Sequence, residues 1–349
     1  VFGGPDNLGS MTSPLLTTPG AVSADSPDSD VAAHYGDPSH EARAMERSSA
    51  WVDRSNRGVV RVTGPDRLSW LNDITSQLTR DLAPGVATES LVLDTRGHLR
   101  HHLSLVDDGE TTWIHTEPGG GPALAEFLDS MVFMLRVEVE DRSDALSVLT
   151  VLGPERSRVT TVVEGVVQRD TEDQTDLFVP SGDLVAVAEK LTAAGARPAG
   201  MWPYEAHRIA AHRARPGLDS DERSIPHEMD WIGSAVHLEK GCYPGQETVA
   251  RVHNLGRPPR RLVMLHLDGT VERLPKLGSD IELAGRKVGR VGTSSRHHEL
   301  GPIALGLVKR TVPVDADLVV DGIAAGQEVV VDPDTGANAN LDDFRRKPR

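Results

Sequence analysis

Lys240-Gly241-Cys242-Tyr243-Pro244-Gly245-Gln246-Glu247 concentrates the reactive potential of this 349-residue chain, because it holds the only cysteine. The thiolate is the nucleophilic and metal-ligating form of cysteine, and a nearby ammonium or helix N-terminus favours it. Lys240 lies close in sequence. Gln246 to Val252 reads as a short helix whose first amides would add positive potential. Gly241 and Gly245 permit backbone turns that a Cβ would forbid. Free cysteines are commonly small buried hydrophobes, but this polar, glycine-rich setting points to an accessible thiol. Glu247 and Arg251 stand one helical turn apart, the spacing of a local ion pair.

Other candidates are weaker. Arg208 and His212 would share a face at i, i+4 of a helix starting near Tyr204, which is commonly a solvated basic face. Pro226-His227-Glu228 offers one carboxylate after a proline turn. His98, His101 and His102 do not make a metal site on a strand. Adjacent side chains point to opposite faces, and His98 and His102 would be roughly 13 Å apart. His297-His298 meets the same objection. His101 is in phase with Leu99, Leu103 and Leu105 and is expected to face the core. No GxSxG, Walker, HExxH or GxGxxG motif occurs, so no triad, phosphate loop or nicotinamide fold is indicated.

Composition narrows the function classes. A formal charge of −15 opposes binding to a nucleic-acid backbone or an anionic membrane. A single cysteine excludes an intrachain disulfide, a CxxC zinc site and a self-contained all-cysteine cluster. No apolar run approaches the roughly 20 residues of a membrane span. Residues 1–10 read as a vector remnant before a start at Met11, and residues up to about 30 as a mobile tail. Residues 337–349, including Asp342, Asp343 and Phe344, read as a polar tail.

The elements that must position the cysteine are mixed α and β. Val59–Val62 reads as a strand, followed by a capping box at Thr63–Asp66 and a helix carrying Leu68, Leu71, Ile74 and Leu78. Strands are expected at 88–93, 99–106 and 111–115. Leu124, Phe127, Leu128, Met131, Val132 and Leu135 form a helical stripe. Val62-Thr63-Gly64-Pro65-Asp66-Arg67 recurs as Val151-Leu152-Gly153-Pro154-Glu155-Arg156, suggesting two related α+β lobes at roughly 59–142 and 143–256, interleaved within 31–256. After the Gly256–Arg261 linker, short strands and turns read as a small β-barrel at 257–336.

The run from Lys240 to Arg251 resembles the K-G-C-Y-x-G-Q-E signature of the YgfZ-type folate-binding proteins, relatives of the glycine-cleavage aminomethyltransferase (T-protein). Weaker matches arrive in the same order: 34–38, 53–58, Trp70-Leu71-Asn72-Asp73-Ile74-Thr75, Leu93-Asp94-Thr95-Arg96-Gly97, 208–211, 225–228, 288–294 and 303–308. The resemblance implies an α+β cloverleaf of two ferredoxin-like lobes and a C-terminal β-barrel around a folate-sized hole. It implies a cytosolic protein that binds tetrahydrofolate and serves iron–sulfur client proteins, among them radical enzymes that modify tRNA, with no direct nucleic-acid or membrane contact and no resident metal. Cys242 would then be the reactive group, tuned by Lys240. Asn72, Thr75, Asp94, Arg208, Glu228, Tyr243, Gly245, Gln246, Glu247 and Arg251 would line or fix the ligand site. The transferases carry an acid after the turn matched by Arg96-Gly97, where this chain reads Leu99-Arg100-His101-His102-Leu103. They also carry a glutamate at the position of Ala210. Both departures oppose aminomethyl transfer. A one-carbon transferase or demethylase, and a folate- or pterin-binding module without chemistry, remain as alternatives.

Overall fold

The computed structural model describes residues 12–254 and 256–335. The expected remnant at 1–10 and the polar tail from 337 lie outside them.

Among the described residues, two five-stranded sheets, a closed six-stranded barrel and a small two-stranded sheet (Val22–Ser23 with Ala32–His34) make up the fold. The first sheet is antiparallel, in the order 87–93, 99–107, 111–118, 57–63 and 138–141. The helices Arg67–Ile74 and Gly121–Ser130 add Trp70, Leu71, Leu124 and Leu128 to its core with Val60, Leu103 and Ile114. The second sheet runs 167–170, 174–180, 146–152, 50–53 and 197–199. Its strand Ala50–Asp53 precedes the first lobe in sequence, so the lobes interleave. The strands of the barrel lie between Arg260 and Val329.

The six-residue echo has a structural counterpart. Gly64 and Gly153 both take left-handed backbone, with φ of 104° and 103°. A Cβ at Gly64 would lie 2.0 Å from the Arg136 carbonyl oxygen, and one at Gly153 would lie 2.5 Å from that of Ser48. Each lobe therefore turns from strand to helix at a position that only glycine fills without strain.

Three expectations need correction. The segment at 12–30 is docked rather than mobile. Leu15 is buried in the second-lobe core, and Asp28 pairs with Arg215 at 2.7 Å. Those buried contacts offset the ordering entropy that its composition alone would not. The helix over 121–130 stops before the apolar stripe does: Met134 has a φ of 54°, and Phe133 and Met134 are exposed. The capping box at Thr63–Asp66 does not form. Asp66 makes no cap bond and instead binds Arg136 at 2.7 Å. No helix among the described residues is long and apolar enough to cross a membrane.

Candidate functional site

The cysteine turn is anchored by its lysine. The Lys240 ammonium is buried and donates to the carbonyls of Asn72, Thr75 (2.5 Å) and Gln77 (3.1 Å). These carbonyls lie in and just after the last turn of the Arg67–Ile74 helix, which leaves acceptors without intrahelical partners. An ammonium has three donors, and all three are used here. Lys240, expected to tune the thiol, therefore has no donor left for it; its position makes it a staple between the turn and the first lobe. Its Nζ also stands 4.8 Å from the centre of the Tyr243 ring. Burial lowers its pKa to about 8, against the pull of Asp73.

The rest of the turn packs on the first lobe. Tyr243 is buried among Leu91, Leu93, Leu99, Trp231 and Val249, and burial pushes its hydroxyl up to about 12. Gly245 (φ +82°) and Gly97 (φ +79°) face one another: a Cβ at Gly245 would lie 2.9 Å from the Gly97 Cα and 2.6 Å from the Asp94 carbonyl oxygen. The structure thus brings Asp94, Gly245, Lys240, Asn72 and Thr75 to one place. Within that frame, Cys242 is exposed and Gln246 is half-buried. Asp94 closes its own turn, accepting from the Arg96 and His98 amides and from Arg100 at 2.6 Å. Thr75 bonds its own helix at the Leu71 carbonyl, and the Asn72 side-chain oxygen is buried without a partner. Glu247 and Arg251, expected to touch ligand, form an exposed ion pair at 3.1 Å. His212 lies past the helix Met201–Ala210, at a φ of 59°, so it shares no helix face with Arg208.

Lys240→Met is expected to free the turn from the first lobe and leave three buried carbonyls without a donor. Its cost should fall in the range of about 1–3 kcal/mol set by such losses. Urea unfolding measures it, and an unchanged midpoint would contradict the staple.

Arg208 and Glu228 belong to different structures. All five guanidinium donors of Arg208 are engaged: by both oxygens of Glu205, by the Arg213 carbonyl at 2.8 Å, by Asp219 at 2.9 Å and by the Thr293 hydroxyl at 2.6 Å. It ties the second lobe to the barrel and has no donor free for a pterin. Glu228, also buried, pairs with Arg260 at 2.7 Å at the entry to the barrel.

The cleft between the lobes is lined by charges that the sequence does not single out. Arg54, Arg57, Glu89, His102, His115, Glu117, Arg169, Arg213 and Arg215 surround a cavity of about 70 Å³. Asp176 lies beneath it, fully buried, bonded to Arg169 at 2.9 Å, His115 at 3.1 Å and Thr150 at 2.7 Å. Burial opposes its charge, but His115, Arg169 and Arg54 outweigh that and hold the carboxyl well below its usual range. His115 Nδ1 accepts from Arg57, so Nε2 carries the proton toward Asp176. Burial pushes this histidine down to about 3, against the pull of Asp176. A larger cleft of about 710 Å³ lies between residues 12–14, 55–58, 119–122, 141–147 and 181–184. Cys242 lines neither.

Acid stability tests this network. His115 and the equally buried His227, pushed down to about 4 by burial and His253, stay neutral in the fold. In the unfolded chain each takes a proton near pH 6.5. Stability is therefore fully present above about pH 6.5 and declines as pH falls toward 4, by roughly 1.4 kcal/mol per unit for each histidine. Urea midpoints from pH 7.5 to 4.5 should show the decline beginning near 6.5; a flat profile would contradict neutral burial.

Residues 16–176 match the family described as the GCVT N-terminal domain. A putative chloroplastic transferase of Arabidopsis thaliana is 23% identical over 76% of this chain and 67% of its own. The aminomethyltransferase of Streptomyces avermitilis is 26% identical over 83% of this chain and 86% of its own. A mitochondrial iron–sulfur cluster assembly factor IBA57 homolog of Mycosarcoma maydis is 26% identical over 68% of this chain and 62% of its own. Among solved structures, the glycine cleavage system aminomethyltransferase T of Bartonella henselae superposes with a TM-score of 0.77 at 18% identity, over 90% of this chain and 95% of that one.

Proposed function

We propose that this chain, whose residues 16–176 match the GCVT N-terminal domain and whose fold is that of a glycine cleavage aminomethyltransferase, is an iron–sulfur cluster assembly or maintenance factor that presents the Cys242 thiol to client proteins. The observation that carries the reading is the exposed thiol on a turn fixed by Lys240 and by the Gly97–Gly245 contact. The kinship with an iron–sulfur assembly factor supports it. One cysteine does not hold a cluster alone, so Cys242 would give its thiol proton to solvent and supply one thiolate ligand, with the client completing the set. Radical enzymes that modify tRNA are the client class implied by the sequence motif.

Tetrahydrofolate is the cofactor class implied by the resemblance, and the central cleft is where the fold would take it. The residues present do not fit it as they stand. The cavity of about 70 Å³ is well below the roughly 300–1,000 Å³ of ligand pockets. Arg208 has no free donor, and Ala210 offers none. A pterin would enter only with displacement of the lining arginines, so binding, if measured anaerobically with reduced folate, should be no tighter than on the order of 0.1 mM.

The transferase alternative has one observation in its favour: Glu89 brings a carboxylate into the cleft beside His102, at 3.3 Å. Burial opposes its charge, but His102, Arg169 and Arg213 hold it at about 2, which makes it a weak base. Methylene transfer from an aminomethyl-loaded lipoyl protein to tetrahydrofolate, run beside a T-protein, is expected to be slower by about 10² or more. A comparable rate would overturn the proposed function. Low activity of iron–sulfur enzymes in cells deleted for this protein is the positive counterpart.

A further inference from the structure

We propose that Glu46, His297 and His298 form a zinc site that clips the second lobe to the barrel. Adjacent histidines on a regular strand point to opposite faces, which is why the sequence argues against them as co-ligands. Here the strand Arg286–His297 ends at the first histidine, and His298 lies in the turn that follows. The turn swings the second ring to the side of the first, so that their centroids are 4.7 Å apart. Glu46, from the helix Pro38–Arg47, reaches between them. Its Oε1 is 3.5 Å from His297 Nε2 and its Oε2 is 3.0 Å from His298 Nε2. One donor atom from each of the three residues falls within 4.8 Å of the others.

These separations fit a tetrahedral ion. Bonds of 2.0–2.2 Å at tetrahedral angles place neighbouring donors about 3.3–3.6 Å apart, and the distances of 3.5 and 3.0 Å, each to a different oxygen of Glu46, lie close to that range. The independent sign of a ligand is His298. Its side chain is 5% exposed; Nδ1 has no hydrogen-bond partner, and Nε2, although 3.0 Å from Glu46 Oε2, is not aligned to donate to it. Buried polar atoms are normally satisfied, and a metal bond would satisfy Nε2 here. Two histidines and one carboxylate suit zinc, with water in the fourth position; Glu46, at the more open edge with 31% exposure, leaves room for it.

Binding has an identifiable cost. His297 Nδ1 accepts from the amides of Glu299 and Leu300, both at 3.2 Å, so without metal Nε2 carries the proton. Coordination through Nε2 moves that proton to Nδ1 and forfeits these two long bonds, which points to a site of moderate rather than extreme affinity. Its two sides are the second-lobe helix and the barrel, so zinc should hold these units together.

The test is calorimetric titration of Zn²⁺ into the full chain carrying Cys242→Ser, which removes the thiol as a competing ligand. One saturable zinc per chain is expected, together with a rise in the thermal midpoint. Co²⁺ should give the visible bands of a four-coordinate ion. His298→Ala and Glu46→Gln should each weaken binding by about 10-fold or more, whereas His40→Ala, an exposed histidine on the same helix, should leave it unchanged. If His298→Ala fails to fold, Glu46→Gln decides. Absence of saturable binding, or binding unaltered by loss of Glu46, would overturn the proposal.

Discussion

Asp176→Ala is expected to destabilise the protein by about 3–5 kcal/mol, the range for removing one partner of a buried ion pair. Asp176 is fully buried and accepts from Thr150 at 2.7 Å, from Arg169 at 2.9 Å and from Gln174 at 3.0 Å, with Arg54 at 3.6 Å. Its removal leaves two guanidinium groups and a neutral imidazole facing one another without the buried anion between them, with only Glu89 near Arg169 at 3.6 Å. Such a loss is a large part of the 5–15 kcal/mol by which domains are stable. Glu247→Ala is the control. That carboxylate is exposed and pairs only with the exposed Arg251, so it should change stability by less than about 1 kcal/mol. Urea unfolding of both variants measures the contrast. Equal effects would mean that the inter-lobe charges do not hold the lobes together.

The second large effect falls on function rather than stability. Cys242→Ala should leave stability within about 0.5 kcal/mol of the parent, as for other surface substitutions, because the side chain is exposed. The turn keeps its shape through Lys240, Tyr243 and Gly245, none of which uses the thiol. Iron–sulfur maintenance should nevertheless be lost, since no other side chain of the chain carries a thiol. This combination of an intact fold and absent function separates a reactive cysteine from a packing one.

The lobes, the barrel and the cysteine turn were legible because each rests on a local signal. The Gly-Pro-acid-Arg echo marks a glycine with positive φ in both lobes, and glycines at 97 and 245 mark the backbone contact beneath the cysteine. The central charge network was not legible. Each of Arg57, Glu117, Arg169, Asp176 and Arg215 alone reads as a surface charge; Arg57–Glu117 and Arg169–Asp176 pair across neighbouring strands within one lobe, but the contacts that join them, His115–Asp176 and Arg215–Glu117, exist only after the lobes meet. Arg208 illustrates the same limit. Its position on a helix was foreseeable, but its capture by Glu205, Asp219 and the barrel's Thr293 was not. The closeness of the His297 and His298 rings, 4.7 Å between centroids, was not legible because the rule of alternating faces holds only inside a strand, and the strand ends at His297.

The most direct test of the account is complementation in cells deleted for this protein, with the activity of iron–sulfur enzymes as the readout. The parent chain should restore that activity. Cys242→Ala, expressed to the same level, should not, while Glu247→Ala should restore it fully. Restoration by Cys242→Ala equal to that by the parent would contradict the claim that the exposed thiol is the working group.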